Sequence, residues 1–352
     1  MIRSHPRTGA CGRLRPATAV RPPAPVLHGS DEMKREITAD DVTQLRRPGL
    51  LQRMWEHRIA YLMLSPVIVG FFVFTLYPQV WVLSLSFFRY DGFREAQWLG
   101  LQNFVRLFQR DPLWWRSVWN TFYFSFGKLA MELPLALVLA VILNRQLAGR
   151  NFFRGLFFLP HVTSTAIMAL VFYFIYAPYQ GILNGLLQSL GLITEPIDWL
   201  GTGNAMFSTM VVSVWQNFGI NMVLFLAGLQ AIPDDLFESA EIDGANAAQR
   251  FWYITIPALG RMLQVIVMLA IIGSLRSFDL FRVLTRGGPG TETTVMMLYI
   301  FNYFFDRGAL GAGATIPQYG YASALGVIAS IIIAMITGVY LWWSRRLAQN
   351  QG

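Results

Sequence analysis

The chain has 352 residues, of which 54% are hydrophobic and 14% charged, with 27 phenylalanines and a mean hydropathy of +0.43. A soluble globular domain carries about 25% charged residues, so this composition excludes an ordinary soluble fold and points to an all-α integral membrane protein. The formal net charge of +8 does not mark a nucleic-acid binder: eleven of the 28 Lys and Arg precede residue 60 and most others flank apolar runs, which orients spans rather than tracking phosphates.

Residues 1–32 are rich in Arg, Pro and Ala, with Arg21-Pro22-Pro23-Ala24-Pro25 at the centre. Such a segment cannot bury a core, so it is expected to be disordered and dispensable, within a basic tail that reaches residue 50. No apolar signal segment precedes the lone Cys11, which offers neither a disulfide nor a metal cluster.

Six apolar segments follow, Ala60–Phe88, Thr121–Leu143, Gly155–Ala177, Met206–Leu229, Leu263–Leu284 and Tyr321–Trp343. Each reaches the ~20 residues that a helix needs to cross ~30 Å of hydrocarbon, where only a helix satisfies every backbone group locally. Six transmembrane helices are therefore expected, the first bent or ended early by Pro66 or Pro78. The sequence divides into the tail (1–50), the first span with its following loop (51–118), a core membrane domain (119–345) and a short tail (346–352).

Orientation follows from the basic residues. Arg46, Arg47, Arg53 and Arg58 precede the first span, Arg145, Arg150 and Arg154 fill the loop after the second, and Arg345 and Arg346 follow the sixth. The loop 178–204, which joins spans three and four, has no Lys or Arg. This places both termini in the cytoplasm. The loop 89–118 opposes the pattern, since it holds Arg89, Arg94, Arg106, Arg110 and Arg116 yet falls outside. Its Trp98, Trp114, Trp115 and Trp119 fit an aromatic belt at the lipid headgroups or an external partner, and Phe104, Leu107 and Phe108 predict a short surface helix.

Residues 230–262, between spans four and five, read as helix–turn–helix. Pro233, Asp234 and Asp235 suit a helix start. Leu236 and Ala240 share a face, Gly244 is a left-handed stop, and Asn246 can cap a second helix with Phe251 and Ile254 on its apolar edge before Pro257 returns to the membrane. Such a pair could lie on the headgroups. Its five acids (Asp234, Asp235, Glu238, Glu241, Asp243) outnumber Arg250 and Arg261, so anionic lipid would repel it and a protein groove suits it better.

The run Glu238-Ser239-Ala240, Asp243-Gly244-Ala245, Phe251 and Ile254-Thr255-Ile256-Pro257 is similar to the Glu-Ala-Ala signature of binding-protein-dependent permeases of the ATP-binding-cassette superfamily. Ser239 stands where the family usually has alanine. Phe278-Asp279, Leu284-Thr285 and Gly287-Gly288-Pro289 resemble the carbohydrate-importer subfamily. The resemblance covers residues 60–345 and implies a type-1 importer permease. It further implies that Glu238, Ser239, Ala240, Asp243, Gly244 and Ala245 seat in a cytoplasmic ATPase dimer, with Glu238 opposite a basic group. A second permease subunit and an extracytoplasmic sugar-binding protein are also implied. The chain has no phosphate-binding Gly-x-x-x-x-Gly-Lys-Ser/Thr run of its own, so the ATPase is expected to be a separate chain and this one is not an enzyme.

Polar residues at membrane depth are the remaining candidates. Thr209, Ser213, Gln216, Asn217 and Asn221 fall on one helical stripe, beside Trp215 as a ring for stacking. They would line a sugar path with Phe278 and Asp279, or hydrogen-bond between permease subunits. Lys128 and Glu132, one turn apart, are expected to pair structurally, as are Arg276 and Asp279, while Arg282 would snorkel. His161 has no second ligand at metal spacing, and no cofactor is expected. The leading reading is half of an ATP-driven carbohydrate importer, in a heterodimer or homodimer of permeases. A carrier driven by an ion gradient, which would not need the 230–262 loop, and a permease for a non-sugar solute are the alternatives.

Overall fold

The computed structural model describes residues 58–306 and 316–349; the expectations for the basic tail lie outside them. The polypeptide divides into two units at Val69/Gly70, and all packing described here belongs to the second.

The first apolar span runs Arg58–Leu85. It comprises α1 (Arg58–Phe71), a π-helical turn (Phe72–Leu76) and α2 (Tyr77–Leu85). The expected proline effect takes this form: Pro78 has no N–H for the carbonyl one α-turn behind it, and the ladder widens so that the Tyr77 N–H donates to the Phe72 carbonyl. A two-stranded ribbon, β1 (Phe88–Arg89) and β2 (Gln97–Trp98), and the expected surface helix, α3 (Gln102–Arg110), follow.

The second span, α4 (Pro112–Asn144), begins nine residues ahead of its expected start at Thr121. Asp111 explains the shift. Its carboxylate accepts from the Trp114 N–H at 3.0 Å as an N-cap, with Pro112 in the first turn. At the other end the Arg154 guanidinium donates to the Leu143 carbonyl at 2.9 Å.

The third expected span, Gly155–Ala177, is not one helix. It is α5 (Arg150–Val162) and α6 (Thr165–Ile175), bent by 95°. Pro160 sits in the last turn of α5, and Thr163 and Ser164 take extended backbone between the helices. A short helix, α7 (Ile182–Ser189), precedes the fourth span, α8 (Ala205–Gln230). Gly219 lets α8 approach α5 closely, because a Cβ there would collide with the Phe157 carbonyl.

The fifth span begins in the loop. After α9 (Asp235–Ile242) and α10 (Ala247–Arg250), a second π-helical turn (Phe251–Thr255) leads into α11 (Ile256–Leu275) and, after a break, α12 (Asp279–Leu284). Pro257 repeats the effect of Pro78: the Ile256 N–H reaches back to the Phe251 carbonyl. The helix runs through Pro257, and its backbone leaves helical geometry three residues later at Gly260 (φ +35°). An apolar helix, α13 (Met296–Phe305), and the last span, α14 (Tyr319–Gln349), complete the fold.

α4 packs chiefly on α8. Two apolar cores sit at opposite ends of α4: Leu107, Trp114, Tyr299, Tyr303 and Tyr321 at its start, and Ala140, Leu143, Phe225, Leu229 and Leu259 at its finish. The 33 residues of α4 span roughly 50 Å at 1.5 Å per residue. The loop 230–262 therefore lies at one end of the bundle and the loop 89–111 at the other.

Candidate functional site

Two features stand out, the helix–turn–helix at one end and a polar cleft between the spans. In the loop, α9 ends in a capped turn. The Gly244 N–H donates to the Glu241 carbonyl at 3.1 Å and the Ala245 N–H reaches the Ala240 carbonyl at 2.9 Å, with Gly244 at φ +76°. This is the left-handed stop expected of that glycine. Asn246 then starts α10 with a reciprocal capping box. Its Oδ1 accepts from the Gln249 N–H at 2.9 Å, and its own N–H donates to the Gln249 Oε1 at 2.8 Å. Arg250 ties the helices together through Glu241, at 3.0 Å.

Glu238, Ser239, Asp243 and Gly244 are exposed, while Ala240 and Ala245 are half-buried against the turn. The Ser239 hydroxyl donates to the Asp235 carbonyl at 2.8 Å, folding back on its own helix and adding little to the surface beyond an alanine. Ile242 is 87% exposed beside these acids. The loop thus presents an acidic, partly apolar face held by internal bonds. Beneath it a cleft of about 420 Å³ opens between the end of α4 (Asn144, Arg145) and Asp234, Phe237 and Arg250.

The polar cleft, about 380 Å³, lies among α4, α6, α8 and the α11–α12 break. Its lining includes five of the six expected path residues, namely Gln216, Asn217, Asn221, Phe278 and Asp279. Trp215 is not among them; it turns away, 43% exposed, with its ring edge-on to Phe172 at 5.4 Å. The spacing that puts 216, 217 and 221 toward α4 leaves 215 on another side of α8. Gln216 Nε2 donates to Thr165 Oγ1 at 2.9 Å, tying α8 to the start of α6, and Asn217 Nδ2 donates to the Ser213 carbonyl of its own helix at 2.9 Å.

Lys128 and Glu132 pair as expected, Nζ to Oε2 at 3.1 Å with both side chains buried, and they form part of the cleft wall. The Asn221 amide donates to the other carboxylate oxygen of Glu132, joining α8 to α4. Such a pair costs desolvation and persists where its remaining hydrogen-bonding capacity is used.

Arg276 and Asp279 do not form the expected helical pair. The segment 276–278 is non-helical, so i,i+3 geometry is lost, and both side chains are exposed to the cleft. Arg282 does not merely snorkel. It pairs with Asp306 at 3.0 Å and lies 5.1 Å from the Phe301 ring centroid. His161 is exposed beside Phe158.

One buried node escaped the sequence reading. The Asp111 carboxylate accepts from the hydroxyls of Tyr299 (2.7 Å) and Tyr321 (2.6 Å) besides capping α4. Its only sequence signal is the cap pattern Asp111-Pro112, and nothing local names tyrosines 188 and 210 positions away.

Residues 132–349 match the model of the family described as binding-protein-dependent transport system inner membrane component. The chain is 36% identical over 288 residues to the trehalose/maltose transport system permease protein MalF of Thermococcus litoralis, covering 81% of this chain and 93% of the relative. It is 32% identical to the arabinooligosaccharides transport system permease protein AraP of Bacillus subtilis, covering 80% and 87%. Among solved structures it is similar to a chain of a bacterial ABC transporter that imports the acidic polysaccharide alginate, with a TM-score of 0.72, 26% identity, and coverage of 84% of this chain and 98% of that one.

Proposed function

The chain belongs to the family of binding-protein-dependent transport system inner membrane components, and from that premise we propose that it supplies half of a carbohydrate path and the loop that couples this path to an ATPase. It is a multi-pass membrane permease subunit with the type-1 importer fold, and ATP is hydrolysed by a separate chain. The observation that carries the sugar reading is the polar cleft. Gln216, Asn217, Asn221, Ser213 and Ser277 offer amides and hydroxyls, and each can answer a sugar hydroxyl as donor or acceptor. Lys128 and Arg276 are balanced by Glu132 and Asp279, so the wall has no net charge with which to select an ion. The names of MalF and AraP support a sugar over a non-sugar solute.

In this reading Glu238, Ser239, Ala240, Asp243, Gly244 and Ala245 seat in a cytoplasmic ATPase dimer. A second permease subunit completes the cleft, and an extracytoplasmic sugar-binding protein delivers the cargo. Both termini lie in the cytoplasm. Arg145 and the 230–262 loop share one end of α4 and line the same cleft, which fits the basic-residue count in the sequence. The family itself leaves no room for the ion-gradient carrier.

The test is uptake in proteoliposomes holding the chain with its ATPase, second permease and binding protein. Labelled oligosaccharide should accumulate only with ATP. Accumulation driven by a proton or sodium gradient without ATP, or transport of non-sugar solutes alone, would overturn the proposal.

A further inference from the structure

At the end of the bundle opposite the coupling loop, a cleft of about 850 Å³ is lined by Arg89, Arg94, Arg106 and Arg110, with Asp91 as the one acid among its described residues. The four guanidiniums against one carboxylate leave a charge of +3. Asp91 stays ionised, because the backbone N–H groups of Arg94 and Phe93 bond to it and hold its carboxyl below the usual range, and Arg94 lies 3.8 Å away. Arg106 is committed to the fold, donating to Gln318 Oε1 at 2.9 Å with its guanidinium 3.9 Å from the Tyr321 ring centroid. Arg89 and Arg110 form no ion pair among the described residues.

The depth of this cleft is fixed by the spans. Arg89 follows the end of the first apolar span, Leu85, by four residues, and Tyr321 stands two residues inside the last span, which begins at Tyr319. That is the level of the lipid headgroups. The same surface carries an exposed apolar stripe on α3 and its entry, with Leu101 63%, Val105 46% and Phe108 54% exposed, beside Trp98 at 67%. A short helix with arginines on one side and Leu, Val and Phe on another fits the plane of the membrane interface. Guanidinium forks match phosphate oxygens, and the apolar stripe suits acyl chains. An acidic protein face would account for the charge alone.

We propose that this cleft binds the headgroup of an anionic phospholipid. The arginines that break the charge pattern of the loops then have a role, and an occupied cleft braces α14 through Arg106 and Tyr321. Tyr321 is bonded to Asp111, the cap of α4, so the lipid steadies the helix whose middle carries the Lys128–Glu132 pair.

The experiment measures the affinity of the full-length chain, in nanodiscs, for labelled phosphatidylglycerol and phosphatidylcholine. The combined variant Arg89→Gln, Arg94→Gln, Arg110→Gln spares Arg106. One basic side chain near an anionic surface contributes roughly fivefold, so three removed together should weaken phosphatidylglycerol binding on the order of a hundredfold. The corresponding Arg→Lys variant keeps the charge without the fork and should bind more tightly than the Gln variant but less tightly than the native chain, which separates lost charge from lost folding. Three results would overturn the proposal: unchanged phosphatidylglycerol preference in the Gln variant, equal affinity for inorganic phosphate and for the lipid, or loss of binding-protein capture with lipid affinity intact.

Discussion

Gly244 offers a graded test of the coupling loop. It sits at φ +76°, and no atom lies within 4 Å of where a Cβ would stand. Substitutions there are therefore limited by backbone conformation and not by packing. Asparagine visits the left-handed region and should be mild. Alanine pays about 1–2 kcal/mol for that conformation, a roughly five- to thirtyfold weakening of any docking that needs the turn intact. Proline is fixed near φ −65° and removes the N–H that donates to the Glu241 carbonyl, so the turn cannot form as it stands. The hydrogen bond adds about 1 kcal/mol to a conformational cost of at least the 1–2 kcal/mol of alanine, so the weakening should reach roughly thirty- to 150-fold or more. The spans do not rest on this turn, so all three variants should reach the membrane in normal amounts. The assay is co-purification of the ATPase with each variant, alongside sugar uptake. The order Asn, Ala, Pro in increasing loss is expected. Normal capture and uptake with the Pro variant, or equal loss in all three, would refute the view that this loop docks in the conformation described.

Further outcomes follow from the same geometry. Glu238→Lys reverses an exposed acid with no role in the fold, and should weaken ATPase capture roughly ten- to hundredfold while leaving thermal unfolding of the chain unchanged. Asn246→Ala removes the reciprocal cap of α10 and should cost about 0.5–2 kcal/mol of loop order, read as faster amide hydrogen exchange over residues 246–250. Asn217→Leu should change sugar uptake and sugar-stimulated ATPase activity without affecting assembly, since Asn217 bonds only within its own helix. Gln216→Leu should disturb both, because it also unties α8 from Thr165. Glu132→Leu should strand a buried Lys128 and cost about 3–5 kcal/mol, seen as a lower melting temperature that the double change Lys128→Met/Glu132→Leu largely restores.

What the sequence revealed was whatever is written locally. The helix–turn–helix, the Gly244 stop and the Asn246 cap each depend on residues within a turn or two of one another, and each appears where it is expected; of the six expected spans, five are apolar helices and the third is a bent pair. The Lys128–Glu132 pair is of the same kind, being one turn apart on one helix. The failures are equally physical. Apolar content locates a span but not a bend, so the extended Thr163–Ser164 link between α5 and α6 was hidden inside a run that is apolar throughout. The cap that starts α4 at Pro112 was masked because Trp114 and Trp115 read as an interfacial belt. Trp215 is expected beside the path as a ring for stacking, and the turn of α8 leaves it outside the cleft lining.

The partnerships that matter most to the cleft were not local at all. Asn221 orients toward Glu132 on another helix, 89 positions away, and Asp111 gathers two tyrosines from 188 and 210 positions away. Both nodes end on α4, one in its middle and one at its cap. Near its last turn α4 packs into the core beneath the coupling loop, through Ala140 and Leu143 against Leu259 of α11. A helix of 33 residues, with Pro134 its one internal proline, is joined to all three regions and carries displacement along its axis. A push at the loop therefore reaches the Lys128–Glu132–Asn221 wall through packed side chains. That wall can yield only by breaking the buried hydrogen bond from Asn221 to Glu132, which would strand a buried carboxylate oxygen, or by moving α4 and α8 together. The second course costs far less, so α4 and α8 should travel as one body while the α11–α12 break at residues 276–278, where the backbone is already non-helical, takes up the difference.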